Sequence, residues 1–163
     1  MAERNIRLTL NGAVREIYAE DDTPLIYVLR NQSGLKGTRA GCGMNQCGSC
    51  HVLVDGHSLP ACDTPLWAVE GKQVVTVEGL ARDGKLHPLQ QAFIGEQAAQ
   101  CGYCLSGILI TAAALLERNP GPSEAQVREA LDKHLCRCGS HNRIVRAVLR
   151  AADAMIASPR VDR

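Results

Sequence analysis

Short stretches in which apolar and polar residues alternate mark the first half of the chain as a region of β-strands. Two of the turns between these stretches carry the Asn-Gly and Asp-Gly pairs that favour tight hairpins, at Asn11-Gly12 and Asp55-Gly56. The pattern therefore predicts two hairpins and one further strand, over residues 5–10, 13–19, 51–54, 57–59 and 73–77.

A short helix and a glycine-rich loop separate the two predicted hairpins. Thr23 and Pro24 predict a helix start, with Thr23 as the N-cap and Pro24 at the first helical position, and the helix should end near Asn31. Residues 34–50 are rich in glycine and lack periodicity, so they predict a loop. Together with the strands, these features predict a small α+β unit with a mixed sheet.

Helical periodicity replaces the alternation after Gly79. Ser123 and Gln126 form a capping-box pattern that starts one of four predicted helices. The other three helices are predicted over residues 88–99, 105–119 and 141–157. Short connections between four helices favour a small bundle, so we predict two domains, residues 1–79 and residues 80–163.

Apolar side chains at helical spacing identify the faces that should be buried. The inward residues predicted for the last two helices are Val127, Leu131, Leu135, Ile144, Val148, Ala151 and Met155. The solvated face of the final helix is predicted at Arg143, Arg146 and Arg150. We also expect Trp67 and Phe93 to anchor the core or an interface.

Composition and charge narrow the class of protein. Apolar residues make up 45% of the 163 residues, which is enough for a folded core, and the formal net charge is +1. Aromatic residues are only 3%, and neither a basic groove nor a stacking surface for nucleic acid is visible. No Ser-His-Asp set, carboxylate pair or phosphate-binding loop stands out, so we predict no catalytic residue on this chain.

The N-terminal residues lack the apolar run of a signal peptide. The longest apolar stretch, over residues 108–116, is too short to cross a bilayer. We therefore expect a chain without a transmembrane segment that is made in the cytoplasm. Periplasmic or membrane-associated placement would then come through partner subunits.

Eight cysteines carry the chemistry, and four of them lie in the first half. Their spacing is C-x4-C-x2-C, followed by a fourth cysteine after eleven residues, at Cys42, Cys47, Cys50 and Cys62. This is the plant-type ferredoxin spacing for a [2Fe–2S] cluster. A structural zinc site also takes four cysteines but favours paired short spacings, and disulfides would need an oxidising compartment. The first set therefore favours an iron–sulfur cluster.

The second set has the spacing C-x2-C-x31-C-x-C, at Cys101, Cys104, Cys136 and Cys138. Each pair comes just before a predicted helix, where free backbone N–H groups stabilise thiolates. From this spacing alone the set fits either zinc or a second cluster. Two clusters in one small chain would form a relay, which needs an electron donor and an electron acceptor outside the chain.

Three segments resemble the small iron–sulfur subunit of the xanthine oxidase family of molybdenum hydroxylases. They are Gly41-Cys-Gly-Met-Asn-Gln-Cys-Gly-Ser-Cys50, Gln100-Cys-Gly-Tyr-Cys104 and Leu135-Cys-Arg-Cys-Gly139. All eight cysteines fall in register, and the match covers nearly the whole chain. The resemblance implies an N-terminal ferredoxin-like β-grasp domain and a C-terminal four-helix domain, each with a [2Fe–2S] cluster.

The resemblance also implies roles for individual residues. The helical-domain cluster would lie nearest a molybdopterin cofactor held by a large partner subunit, and the ferredoxin-domain cluster would lie towards the acceptor. Gln100 would hydrogen-bond the pterin, and Cys138 would contact it as well as ligating iron. The chain would pass electrons outward from the molybdenum subunit, which hydroxylates an aldehyde or a nitrogen heteroaromatic compound.

Two positions depart from much of the family: Gly43, where many members have Glu, and His141, where many have Tyr. Both look like the subgroup of isoquinoline 1-oxidoreductase, nicotinate dehydrogenase and membrane-associated aldehyde dehydrogenase small subunits. That likeness favours a cytochrome c-type haem acceptor over an FAD subunit. The alternatives are a free-standing two-cluster ferredoxin that shuttles between partners and a zinc-stabilised interaction module without redox chemistry.

Residues outside the cysteine motifs have simpler interpretations. His87 is predicted to begin a helix and His141 to cap or pack the last one. Arg39, just before the first cysteine, belongs to a solvated loop or helps to dock a partner.

Overall fold

A five-stranded mixed sheet forms the first half of the molecule, in a computed structural model that describes residues 3–157. Its strands are β1 (Glu3–Leu10), β2 (Ala13–Glu20), β3 (His51–Val54), β4 (His57–Pro60) and β5 (Gln73–Val75). The order across the sheet is β2-β1-β5-β3-β4; β1 and β5 run parallel, and the other neighbours run antiparallel. The predicted α+β unit with a mixed sheet is confirmed.

Both hairpin turns are where the sequence predicted them. Asn11 and Gly12 have φ of 50° and 83°, and Asp55 and Gly56 have φ of 47° and 79°. Two consecutive positive φ values define the turn type that matches the twist of a two-residue hairpin. These turns fix the strand register, which places Ile6, among other side chains, on the buried face.

The first helix, α1 (Leu25–Tyr27), continues as a π-helical turn over Val28–Gln32. The prediction that Thr23 caps this helix is wrong, since Pro24 occupies the N-cap and the cap has no side-chain hydrogen bond. Thr23 instead accepts a backbone hydrogen bond from Leu66, and Pro24 bridges Pro65. This extended pairing with the later segment outweighs the local capping preference.

The strand predicted over residues 73–77 ends earlier, at Val75. The side-chain oxygen of Asn11 accepts a 2.9 Å hydrogen bond from the Thr76 N–H, which satisfies that donor without a strand partner. A 3-10 turn over Val77–Leu80 then leads towards the helical half.

Four helices follow: α2 (Pro88–Gly95), α3 (Leu105–Arg118), α4 (Glu124–Leu131) and α5 (His141–Ala157). Capping boxes begin α2 at His87 and α4 at Ser123, so both predicted starts are confirmed. The extension of α2 to residue 99 is wrong because Gln97 adopts a left-handed φ of 47°, which turns the chain out of the helix.

The helices enclose their own apolar core, separate from the core beneath the sheet. Phe93 lies in it, but Trp67 is 54% exposed, so only one of the two predicted aromatic anchors is in the core. Leu135 is 64% exposed and lies beyond the end of α4, which corrects its predicted burial. The other predicted inward residues pack into or against this core: Val127, Leu131, Ile144, Val148, Ala151 and Met155.

Helix α3 packs against β3 and β4 and so joins the two halves. At the end of α2, the exposed arginines Arg146 and Arg150 reach Glu96 at 3.4 and 3.1 Å. The face predicted to be solvated therefore also ties α5 to the end of α2. Within residues 3–157, no helix combines the length and the apolar character that crossing a bilayer requires.

Candidate iron–sulfur sites

The first four cysteines gather where the glycine-rich loop meets the sheet. Cys42 and Cys47 lie in the loop, Cys50 immediately precedes β3, and Cys62 follows β4. The thiols of Cys42 and Cys47 lie within hydrogen-bonding reach of one another, as do those of Cys50 and Cys62. In addition to burial, the charge of Cys47 raises the pKa of Cys50. All eight cysteines of the chain are free thiols.

Backbone amides of the loop point at these sulfur atoms. The Gln46 N–H donates to Cys42 Sγ at 3.1 Å, the Met44 N–H donates to the same sulfur at 3.5 Å, and the Cys42 N–H donates to Cys47 Sγ at 3.4 Å. The Met44 and Gln46 amides lower the pKa of Cys42 to about 7, since they stabilise the thiolate. Burial raises the pKa of the Cys50 thiol to about 12.

Gly41 is required by close approach rather than by an unusual φ. A Cβ at this position would lie 2.5 Å from Cys47 Sγ, which is too close for two non-bonded atoms, so the sulfur or the loop would have to move. Further along the loop, Gly43 and Gly48 both adopt a φ of 72°. The loop therefore curls tightly enough to bring its backbone against the sulfurs.

The second four cysteines line one small cavity together with Gln100 and Ser140. Cys104 immediately precedes α3, and the Cys136–Cys138 segment lies just before α5. The thiols of Cys104 and Cys136 lie within hydrogen-bonding reach of one another, as do those of Cys101 and Cys138, and Cys101 also interacts electrostatically with Cys104 and Cys136. Both pairs join residues more than thirty positions apart in the sequence.

Backbone N–H groups again favour thiolates in this second group. The Tyr103 N–H, and then the Cys138 thiol, lower the pKa of Cys101. Burial opposes ionisation of Cys136, but amides including that of Ser140 lower its pKa overall. Burial raises the pKa of the Cys104 thiol to about 12.

The four thiols of each group fit the ligand set of a two-iron cluster. Among the described residues, no group of three or more His, Cys, Asp or Glu side chains is arranged to hold one metal ion. A [2Fe–2S] cluster instead takes two protein ligands on each of its two irons. Each group of cysteines supplies two such pairs, so both donor sets match this cluster type.

Gln100 lies beside Cys138, which brings together the two residues predicted to contact a pterin. Its side-chain amide donates to the Cys138 carbonyl at 3.3 Å, and the side chain is exposed at the edge of the second cavity. The carboxamide oxygen is therefore available to a group outside this chain.

Direct backbone contacts join the two groups of cysteines. The Leu135 N–H donates to the Cys47 carbonyl at 3.1 Å, and the Ser106 hydroxyl donates to the Ser49 carbonyl at 3.2 Å. Gly107 on α3 admits the Gly48 carbonyl, which any side chain at Gly107 would overlap. The sequence did not predict these contacts; the available signal was the position of Leu135 between His134 and Cys136.

Tyr103 also contacts the loop that carries the first group of cysteines. The Tyr103 hydroxyl donates to the Ala40 carbonyl, and the guanidinium of Arg39 lies 5.9 Å from the centre of the Tyr103 ring. Arg39 therefore has a partner within the chain besides any role in docking.

Two histidines, the half-buried His51 and the buried His134, also meet at this boundary, with ring centres 4.9 Å apart. Burial, and then the nearby His51, lower the pKa of His134 to about 4. Burial, and then the charge of Lys133, lower the pKa of His51. Sequence inspection assigned neither histidine a role, and the available signal was their position next to the cysteine motifs.

Two family models cover most of the chain. Residues 8–81 match the 2Fe-2S iron-sulfur cluster binding domain, and residues 76–149 match the [2Fe-2S] binding domain. The chain is 49% identical over 93% of its length to a nicotinate dehydrogenase subunit of Pseudomonas putida, covering 96% of that protein. It is 48% identical over 90% of its length to the alpha subunit of isoquinoline 1-oxidoreductase from Brevundimonas diminuta, covering 97% of that protein.

Solved structures share the whole fold. Quinoline 2-oxidoreductase from Pseudomonas putida 86 superposes with a TM-score of 0.90 at 40% identity, over 94% of this chain and 96% of the matched chain. Aldehyde oxidoreductase from Desulfovibrio gigas superposes with a TM-score of 0.91 at 36% identity, over 96% of this chain but only 18% of that longer chain.

Fold and sites thus define an iron–sulfur electron-transfer protein with two [2Fe-2S]-binding domains, ferredoxin-like and helical. The chain belongs to the small iron–sulfur subunits of the xanthine oxidase family of molybdenum hydroxylases. The resemblance predicted from its cysteine motifs is confirmed.

Proposed function

We propose that this chain relays electrons from the molybdopterin centre of a large partner subunit to an external acceptor, through two [2Fe–2S] clusters. Cys42, Cys47, Cys50 and Cys62 would ligate the outer cluster, and Cys101, Cys104, Cys136 and Cys138 the inner one. The observation that carries the proposal is the 3.1 Å hydrogen bond between Leu135 and Cys47. Cys47 is a proposed ligand of the outer cluster, and Leu135 directly precedes Cys136, a proposed ligand of the inner one. A path between the two clusters through this hydrogen bond therefore has only one non-covalent step.

When bound, each cluster supplies a one-electron redox centre whose potential depends on hydrogen bonds to sulfur and on exposure. The residues of the chain set those conditions. Amides at Met44 and Gln46 point at Cys42, and amides at Tyr103 and Ser140 point at the second group. They stabilise negative charge on sulfur, so they favour both ligation and reduction.

The molybdopterin side is proposed at the second group. Gln100 is exposed there and is hydrogen-bonded to the Cys138 backbone, so both residues face the same surface. A carboxamide held in this way can recognise a heterocycle by donating and accepting hydrogen bonds. Substrate chemistry would take place on the partner, and this chain would contribute no catalytic residue to it.

The acceptor side is proposed at the first domain, residues 1–79, while the second domain, residues 80–163, faces the molybdenum subunit. Met44 is 61% exposed in the loop between Cys42 and Cys47, which leaves the first site open to a docking protein. We favour a cytochrome c-type haem acceptor over an FAD subunit, on the subgroup features at Gly43 and His141.

Substrate class follows from the relatives. Nicotinate, isoquinoline and quinoline, the compounds in the names of three relatives, are nitrogen heteroaromatic compounds. We therefore favour a nitrogen heteroaromatic substrate for the assembled enzyme, and an aldehyde is the second candidate because aldehyde oxidoreductases share the fold.

The test is to isolate the native complex on a tag attached to this chain, then count its metals and cofactors. About four irons per chain, with molybdenum on a co-purifying large subunit, is the expected result. Haem rather than flavin in the complex would support the proposed acceptor, and flavin without haem would refute it. Four irons on an unaccompanied chain would favour the free shuttle, and zinc without iron would reject both redox functions.

A further inference from the structure

Four polar side chains form a continuous row across the boundary between the sheet and the helices. His51 Nδ1 lies 2.8 Å from Ser58 Oγ, and Ser58 Oγ lies 2.7 Å from Thr111 Oγ1. Thr111 Oγ1 in turn lies 2.8 Å from His134 Nε2. The row therefore links β3 and β4 to α3 and to the segment that follows α4.

Both ends of the row reach the cysteine sites. His51 directly follows Cys50, and His134 lies two positions before Cys136. The His134 ring occupies the space that a side chain at Gly48 would fill, since a Cβ there would overlap His134 Nδ1. Gly48 directly follows Cys47, whose carbonyl accepts the hydrogen bond from Leu135. The ring thus touches the backbone next to the Leu135–Cys47 hydrogen bond that joins the two sites.

The protons of the row can be assigned from its surroundings. His134 Nδ1 lies against the Gly48 backbone, whose carbonyl favours a proton on this nitrogen, although no hydrogen bond of good geometry is completed. Nε2 then accepts from the Thr111 hydroxyl, Thr111 accepts from Ser58, and Ser58 accepts from His51 Nδ1. Each hydroxyl in the row donates one hydrogen bond and accepts one. The Thr111 hydroxyl lies between Ser58 and His134, so it joins the sheet side of the row to His134.

Burial makes this arrangement costly unless it is satisfied. His134 is 3% exposed, and a buried imidazole without partners loses the hydrogen bonds that water would make. The hydrogen bonds on the Nε2 side of the ring join His134 to Thr111, Ser58 and His51, and they favour one arrangement of the elements that carry these residues. Apolar packing alone would hold α3 against the sheet but would tolerate small sliding movements.

We propose that His134, held by Thr111 and Ser58, is a positioning residue that sets the spacing and orientation of the first cysteine group relative to the second. The inference rests on the proposed function, since it concerns how the two clusters face one another. Movement of the ring would free the Gly48 backbone and draw the Leu135 N–H away from the Cys47 carbonyl. Electron transfer between the sites depends on that approach.

The test uses the assembled enzyme and compares Thr111→Val, His134→Ala and Ser123→Ala with the native complex. Thr111→Val keeps the size of the side chain and removes the central hydroxyl. Ser123→Ala removes the cap of α4, so it weakens the helical half without touching the row. The readout is the magnetic splitting between the two reduced clusters in electron paramagnetic resonance spectra, which falls with the inverse cube of their separation.

We expect Thr111→Val and His134→Ala to retain both cluster signals and the full iron content but to change the splitting. Ser123→Ala should leave the splitting as in the native complex. An unchanged splitting in Thr111→Val would overturn the inference, even if His134→Ala fails to assemble. An equal change in Ser123→Ala would also overturn it, because general loosening would then explain the effect. A native complex with fewer than four irons per chain would instead overturn the proposed function, and with it this inference.

Discussion

The backbone N–H of Leu135 donates a 3.1 Å hydrogen bond to the carbonyl of Cys47. The two residues are far apart in the sequence, and each belongs to a different cysteine group. Cys136 follows Leu135 directly, so a path from one group to the other needs only covalent bonds and this one hydrogen bond. The hydrogen bond uses only the backbone of Leu135, whose side chain is 64% exposed.

Replacing Leu135 by proline removes this donor, because proline has no backbone N–H. We expect electron transfer between the clusters to slow several-fold while both clusters remain bound. Stopped-flow spectra that follow the two clusters separately after substrate reduction would measure the rate. Leu135→Ala is the matched control, since it keeps the N–H and removes only the exposed side chain. Equal rates in the proline and alanine variants would show that the bond does not carry the transfer.

Gly41→Ala tests the geometry of the first site. The added Cβ would lie 2.5 Å from Cys47 Sγ, so either the sulfur or the loop must move. We expect iron content to fall from about four to about two per chain, with the outer cluster lost. Iron assay together with electron paramagnetic resonance would identify the missing cluster.

Gly43→Ala is the control for that change. Nothing lies within 4 Å of a Cβ at Gly43, although its φ of 72° is unfavourable for alanine. It should cost about 1–2 kcal/mol of stability and retain both clusters. Loss of iron in this variant as well would mean that backbone conformation, not contact with sulfur, limits assembly.

Cys104→Ser and Cys50→Ser should remove different clusters. Each replaces a buried thiol that pairs with a second thiol of its own group, so each is expected to leave about two irons per chain. In Cys104→Ser, substrate should no longer reduce the remaining outer cluster. In Cys50→Ser, substrate should still reduce the inner cluster, but transfer to the acceptor should stop. Reduction of the outer cluster in Cys104→Ser would reverse the proposed order.

Glu96 links α2 to α5, and its contribution to stability should depend on pH. Arg150, and then Arg146, lower the pKa of Glu96 from its ordinary value of 4.5 in the folded chain. The folded state therefore binds this proton less tightly than the unfolded state. The stabilisation is present above pH 4.5 and is lost as the pH falls through the lowered pKa of the folded state.

Glu96→Gln should accordingly lower the melting temperature at neutral pH, and the difference from the native chain should shrink towards acid. The effect should be small and should weaken with added salt, since the arginines are exposed to solvent. Glu129→Gln, at an exposed glutamate on α4, serves as the control. A difference from the native chain that persists unchanged in acid would exclude the ion pairs as its cause.

Local interactions made much of this structure predictable. Both hairpin turns and both capping boxes involve residues within a few positions of one another, so a short window of sequence contains their chemistry. Thr23 shows where such windows fail, because its backbone pairs with Leu66 and a distant contact outweighs the local preference. The burial predicted for Leu135 failed for a related reason, since α4 ends before the helical spacing reaches it.

The sequence by itself determined the ligand chemistry of the first cysteine group, because the number and spacing of its thiols match a [2Fe–2S] cluster. The spacing of the second group fitted zinc as well, and it was the motifs around all eight cysteines that indicated the family. Only the tertiary structure decided which thiols pair, how Leu135 meets Cys47, and that Thr111 joins His134 to the sheet. Those relationships join residues from separate elements. Their distances depend on how α3 packs against β3, and the packing of two surfaces is a property of the whole fold that no single segment encodes.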